Sequence, residues 1–79
     1  MKKFVVGGTY AMRSPYENLF LVYKVTARTK RTVTLLSDDE IIKCKLAKRD
    51  VCKFLESEAV YPLANHQMFA TLTAKEELA

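Results

Sequence analysis

The sequence predicts a mainly β protein: a small antiparallel barrel, SH3-like or OB-like, with one short helix. Three observations carry that prediction. Four runs alternate apolar and polar residues with a period of two, a single run after residue 50 has helical spacing, and the chain is only 79 residues long. Period two is the signature of a strand with one face buried, and short strands in a chain of this size close most economically on themselves, which also removes exposed edges.

The elements follow in order. "VGGTY" places two glycines ahead of the first run, where they permit a turn or bulge; their spacing matches neither a Walker loop nor a dinucleotide fingerprint. In "TYAMR" Tyr10 and Met12 alternate with Thr9, Ala11 and Arg13, and "SPYEN" then punctuates the chain. Residues 19 to 28 set Leu19, Leu21, Tyr23, Val25 and Ala27 on the inner face, with Phe20, Val22, Lys24, Thr26 and Arg28 on the outer. After a basic turn at Thr29, Lys30 and Arg31, residues 32 to 36 point Val33 and Leu35 inward and Thr32 and Thr34 outward. "SDDE" makes a polar turn, and residues 41 to 48 repeat the alternation, with Ile42, Cys44 and Leu46 inward and Lys43, Lys45 and Ala47 outward. Three successive strands of this kind are a meander.

Near Asp50 the period changes. Val51, Phe54, Leu55, Glu58 and Ala59 fall at helical spacing, Asp50 is a suitable N-cap, and Pro62 stops the segment. A last strand is expected over residues 68 to 73, and "AKEELA" reads as a frayed tail. The whole is expected to be one domain, residues 1 to 79, with its core over about 4 to 74 and a tail over 75 to 79.

Composition excludes several classes. With 49% hydrophobic and 28% charged residues, the chain is ordinary globular material. Its uncharged runs fall well short of the roughly 20 residues that span a bilayer, and the apolar run at residues 4 to 6 is too short for a secretory signal, so a cytoplasmic protein without membrane contact is expected. The two cysteines, Cys44 and Cys52, are too far apart for a C-x-x-C motif and read as reduced thiols. His66 is the one histidine and has no Ser, Cys or Asp at a recognisable motif spacing, and Asp38, Asp39 and Glu40 lack the glycine and later glutamate of a calcium loop. No enzymatic activity, cofactor or metal is expected.

Charge points to a binding surface. Residues 24 to 53 carry nine Lys and Arg against four acids, a net of +5, whereas residues 54 to 79 carry one lysine against four glutamates, a net of −3. The strand phase places Lys24, Arg28, Lys43 and Lys45 on one solvent face with Thr26, Thr32 and Thr34, and the hairpin tip adds Lys30 and Arg31. Such a face suits phosphates of DNA or RNA, with Tyr16 and Phe20 as stacking residues. Reversing Arg28 and Lys30 is then expected to weaken binding and leave folding untouched. Lysine and threonine are also ordinary solvation for the outer face of a strand.

"GGTYAMRS", "VTARTKRTVTLL" and "YPLANHQMFATLTA" together resemble a family of small proteins found on phages and conjugative elements of gut Firmicutes, with an aromatic-rich first strand, an "RT-x-KTVTL" hairpin and a late "YP". The chain departs from that pattern at "ANHQ", where the family tends to a glycine-containing turn. The resemblance implies either a nucleic-acid accessory or an anti-defence interaction protein that inhibits a host nuclease or binds a signalling nucleotide. A further expectation is a homodimer or partner complex, because Tyr10, Tyr16, Phe20, Val22 and Leu36 exceed what one small core can hold.

Overall fold

The computed structural model describes residues 1–13, 20–63 and 71–78. Its elements are β1 (Thr9–Arg13), β2 (Phe20–Arg28), β3 (Thr32–Ser37), β4 (Glu40–Lys45), α1 (Arg49–Leu55), β5 (Ala59–Val60) and β6 (Leu72–Thr73), followed by one 3-10 turn at Ala74–Glu76. The protein is mainly β. Strands β1 to β4 form an antiparallel meander in the order β1-β2-β3-β4, and β5 pairs with β6 in a second, small sheet. Isolated bridges tie the meander to the later segments: Leu46, just past β4, pairs with Val60 of β5, and Tyr10 of β1 pairs with Glu77, past the 3-10 turn.

The alternation read from sequence holds over most of the meander. Tyr10, Met12, Tyr23, Val25, Val33, Leu35 and Cys44 are buried, joined by Phe4, Val60, Leu72 and Ala74 from the segments outside it. Phe4 meets Tyr10 edge to face with ring centroids 4.9 Å apart, a favoured aromatic geometry. The glycine pair makes the expected turn. Gly7 has φ of +90°, a region that L side chains rarely adopt, and its N–H donates to Val25 O at 2.8 Å. Asp38, in the tight turn between β3 and β4, also has a positive φ, which aspartate tolerates better than most residues.

Three expectations are corrected. The first concerns β2. Its register pairs Lys24 with Leu36 and Val25 with Leu35, then Ala27 with Thr34 and Arg28 with Val33, so Thr26 is an extra residue on the β2 side. One inserted residue inverts the faces of everything after it. Ala27 is therefore exposed, and Arg28 turns inward rather than standing with Lys24 on the outer face.

The second concerns the helix, which is shorter than its apolar spacing suggests. It starts at Arg49, ahead of Asp50, and ends at Glu56 in the left-handed region. Phe54, one of the residues at helical spacing, is 86% exposed, while Cys52 is buried. Residues 57 to 60 leave the helix because they have better partners elsewhere: Ser57 bridges to Lys2, the Glu58 N–H donates to Lys2 O at 2.9 Å, and Ala59 and Val60 enter β5.

The third concerns the chain end. Residues 75 to 78 are not frayed, since Ala74 is buried, the 3-10 turn follows, and the Leu78 N–H donates to Thr9 O at 2.8 Å. The strand expected from residue 68 can be compared over residues 71 to 73, of which Leu72 and Thr73 form β6; residues 68 to 70 lie outside the described residues, as do Tyr16 and His66.

Candidate nucleic-acid interface

The tip between β2 and β3 owes its shape to threonine. Thr29 Oγ1 accepts from the Arg31 N–H at 3.2 Å and the Thr32 N–H at 3.1 Å, and lies 2.8 Å from Thr32 Oγ1. The Thr29 N–H closes the turn on Thr32 O at 2.9 Å. Such side-chain bonds replace backbone partners that a short turn lacks. The tip is also tied to the end of β4, because the Leu46 N–H donates to Arg31 O at 2.8 Å. Lys30 and Arg31 are thus carried on a braced turn with both side chains exposed.

Beneath this tip lies a cleft of about 700 Å³ between the hairpin, the end of β4 and the start of α1. Four cations line it: Lys30, Arg31, Lys45 and Arg49. Among the described residues none of the four pairs with a carboxylate. The acid in the lining is Glu58, which is already engaged. Arg28 Nη1 donates to Glu58 Oε1 at 2.6 Å and Nη2 to Oε2 at 2.9 Å, and the Phe4 N–H donates to Oε1 at 2.7 Å. Arg28 Nη1 also reaches Phe4 O at 2.7 Å.

The pair has the protonation that its geometry requires. Burial acts to raise the Glu58 pKa, but the Arg28 guanidinium and the Phe4 N–H outweigh it and hold the carboxyl below its ordinary value. The hydrogen bonds to Glu58 raise the Arg28 pKa against the opposing effect of burial. Both groups stay charged, and together they are neutral.

Of the residues singled out from sequence, the structure brings Lys30, Arg31 and Lys45 into one cleft. Lys24 and Lys43 are exposed on the outer face of the sheet, Lys43 opposite Thr34 and Lys24 in a row with Leu36 and Ile41, and neither lines the cleft. Arg28 is a correction: it is committed to Glu58 and Phe4, so it does not face phosphate. Phe20 is 65% exposed but stands at the other end of β2 from the tip, roughly 25 Å away at the rise of an extended strand. Tyr16 lies outside the described residues.

Arg49 was not singled out from sequence. "AKRD" did contribute to the local charge, yet nothing in its spacing tells which of Lys48 and Arg49 turns toward β4. Cys52 also lines the cleft and donates from Sγ to Ala47 O at 3.6 Å. Cys44 is in the core, where burial pushes its thiol pKa up and keeps it protonated. Among the described residues no three His, Cys, Asp or Glu side chains cluster as metal ligands, and no helix is long and apolar enough to cross a membrane.

Comparison with protein-family models, with curated proteins and with solved structures finds no match.

Proposed function

We propose that this chain is a non-enzymatic nucleic-acid-binding module, an SH3-like small barrel that holds phosphates at the cleft below its β2–β3 hairpin. The barrel reading is supported by the bridges Leu46–Val60 and Tyr10–Glu77, which join both edges of the meander to the small sheet or the segment after it. The observation that carries the function is the cleft: four exposed cations converge there with no carboxylate partner among the described residues, while the one acid is neutralised by Arg28. Unpaired cations in a concave surface concentrate potential and attract polyanions. Lys43 and Lys24 extend the positive surface over the neighbouring sheet face.

The direct test is binding of fluorescent DNA and RNA oligonucleotides at rising salt. Steeply falling affinity supports phosphate contact; no binding of either nucleic acid at low salt overturns the reading.

A second reading is supported by the outer face of the meander. Val22 and Ile41 are 46% and 71% exposed, Leu36 lies beside Ile41, and Phe20 is exposed on the same face of β2. Exposed apolar side chains on one face, with Lys24 and Lys43 among them, suit a homodimer or a host-protein partner, as an anti-defence role would need. Light scattering of the wild type and of Ile41→Lys tests the dimer, which a concentration-independent monomer would rule out.

A further inference from the structure

Resting on the nucleic-acid reading, the geometry points to a more specific ligand: we infer that the cleft takes one unpaired nucleotide, base inward and phosphate at the mouth, so that the module selects single strands over duplex. The free cations of the cleft are its exposed part. Lys30, Arg31, Lys45 and Arg49 are all exposed, whereas the half-buried or buried lining combines Leu46, Ala47 and Cys52 with Thr32 and with Glu58, whose charge Arg28 already neutralises. Met1 adds a thioether side chain to the same lining, a group that packs favourably against aromatic rings.

This arrangement has a direction. A phosphate has no unpaired cation to meet inside, because Arg28 is bound to both oxygens of Glu58 and the pair is neutral. The cations wait at the mouth. A flat apolar base is the part of a nucleotide that gains by entering, and a cleft of about 700 Å³ is in the range that holds small ligands.

Duplex cannot use this interior. Paired bases show only their edges in the grooves and keep their faces stacked, while a single strand offers its faces freely. Duplex retains the rim contacts alone.

The test compares a labelled single strand of about 12 nucleotides, a length that covers the usual site size of small single-strand binders, with its blunt duplex and with a strand abasic at its central positions. Anisotropy is read at one salt concentration. The single strand is expected to bind about tenfold tighter than either, within the range that one buried base contributes. Ala47→Phe, which fills the interior without altering charge, is expected to abolish that difference, and thermal melting verifies that it folds. The abasic strand needs no variant and so keeps the test decisive if Ala47→Phe fails to fold. Equal affinity for single strand, abasic strand and duplex, weakened alike by Lys30→Glu with Arg31→Glu, would leave nucleic-acid binding standing and remove the base pocket. No binding of any of the three removes both.

Discussion

Arg28 and Glu58 form a two-pronged ion pair, 2.6 Å and 2.9 Å, across 30 residues of sequence. Through it the β2–β3 hairpin is fastened to the segment between α1 and β5, and the shared contacts with Phe4 fasten the N-terminal arm to both. With Glu58 7% exposed, neither partner can be removed without leaving the other short of bonds in a poorly solvated place.

Removing one partner is expected to be costly. Glu58→Gln and Arg28→Ala should each destabilise the fold by about 3 kcal/mol, in the range for breaking a buried pair, measured as a shift of the urea midpoint. Arg28→Glu would set two carboxylates against each other and should prevent folding at room temperature. A variant combining Arg28→Glu with Lys30→Glu therefore reports on folding rather than on binding, contrary to the expectation from sequence. A midpoint within experimental error of wild type for Glu58→Gln would show that the pair contributes little.

The pair also makes stability depend on acid. A carboxyl held below its ordinary pKa in the folded state contributes stability that is present above the unfolded-state value and lost as pH falls through the folded one. Stability should therefore drop on acidification below about pH 4, the region of unperturbed carboxylates. In Glu58→Gln that part of the acid dependence should vanish. Parallel urea midpoints from pH 7 to 3, about the span over which carboxylates titrate, decide the matter.

Binding should respond to the free cations instead. Lys30→Glu with Arg31→Glu, both exposed and free of ion pairs among the described residues, should leave stability within about 0.5 kcal/mol. The same change should lower the slope of log affinity against log salt by about one to two units, depending on strand type, because two phosphate contacts are lost. Lys75→Glu should do nothing in this assay, since neither it nor its 3.9 Å surface partner Glu56 lines the cleft.

Thr29→Val tests whether the tip is built for its task. It removes the oxygen that accepts from the N–H groups of Arg31 and Thr32, at a cost of about 1 kcal/mol in a partly solvated turn. A loosened tip should raise the dissociation rate for oligonucleotides with all cations still present. Unchanged dissociation would mean that charge alone suffices.

Gly8→Ala tests the packing of the N-terminal arm. A Cβ there would sit 2.9 Å from the Tyr10 hydroxyl oxygen and 3.0 Å from Val5 O, and that hydroxyl is already fixed by the Val5 N–H at 2.8 Å. Ring and backbone must both shift, at about 1 to 3 kcal/mol. A melting temperature equal to wild type would show that the arm is free to move.

The strands of the meander and their core faces follow from local alternation along the chain. Leu21, Tyr23, Val25, Val33, Leu35, Ile42 and Cys44 alternate with polar or less buried neighbours, and that period is a local property which the backbone of an extended chain translates directly into sides of a sheet. The glycine turn and the polar "SDDE" turn were legible for the same reason, since their backbone needs are met by residues within the turn. Three of the four cations of the candidate site were legible too: Lys30 and Arg31 lie at a hairpin tip whose position the flanking strands dictate, and Lys45 falls on the outer phase of β4.

The remaining features come from contacts between segments distant in sequence. The extra residue at Thr26 is invisible in a period-two pattern until β2 is paired with β3, and it alone turns Arg28 from the solvent face toward Glu58. The early end of α1 and the run of residues 77 and 78 along β1 depend on partners more than 50 residues away in sequence, and Ala74 is held by Glu58 from beyond the helix. Arg49 joins Lys45 and the hairpin tip because the Leu46–Val60 bridge folds the chain back there. Local alternation carries the sign of a strand's face, but the energy of a long-range ion pair or bridge has no local signature, and it was such contacts that selected which cations remain free to bind.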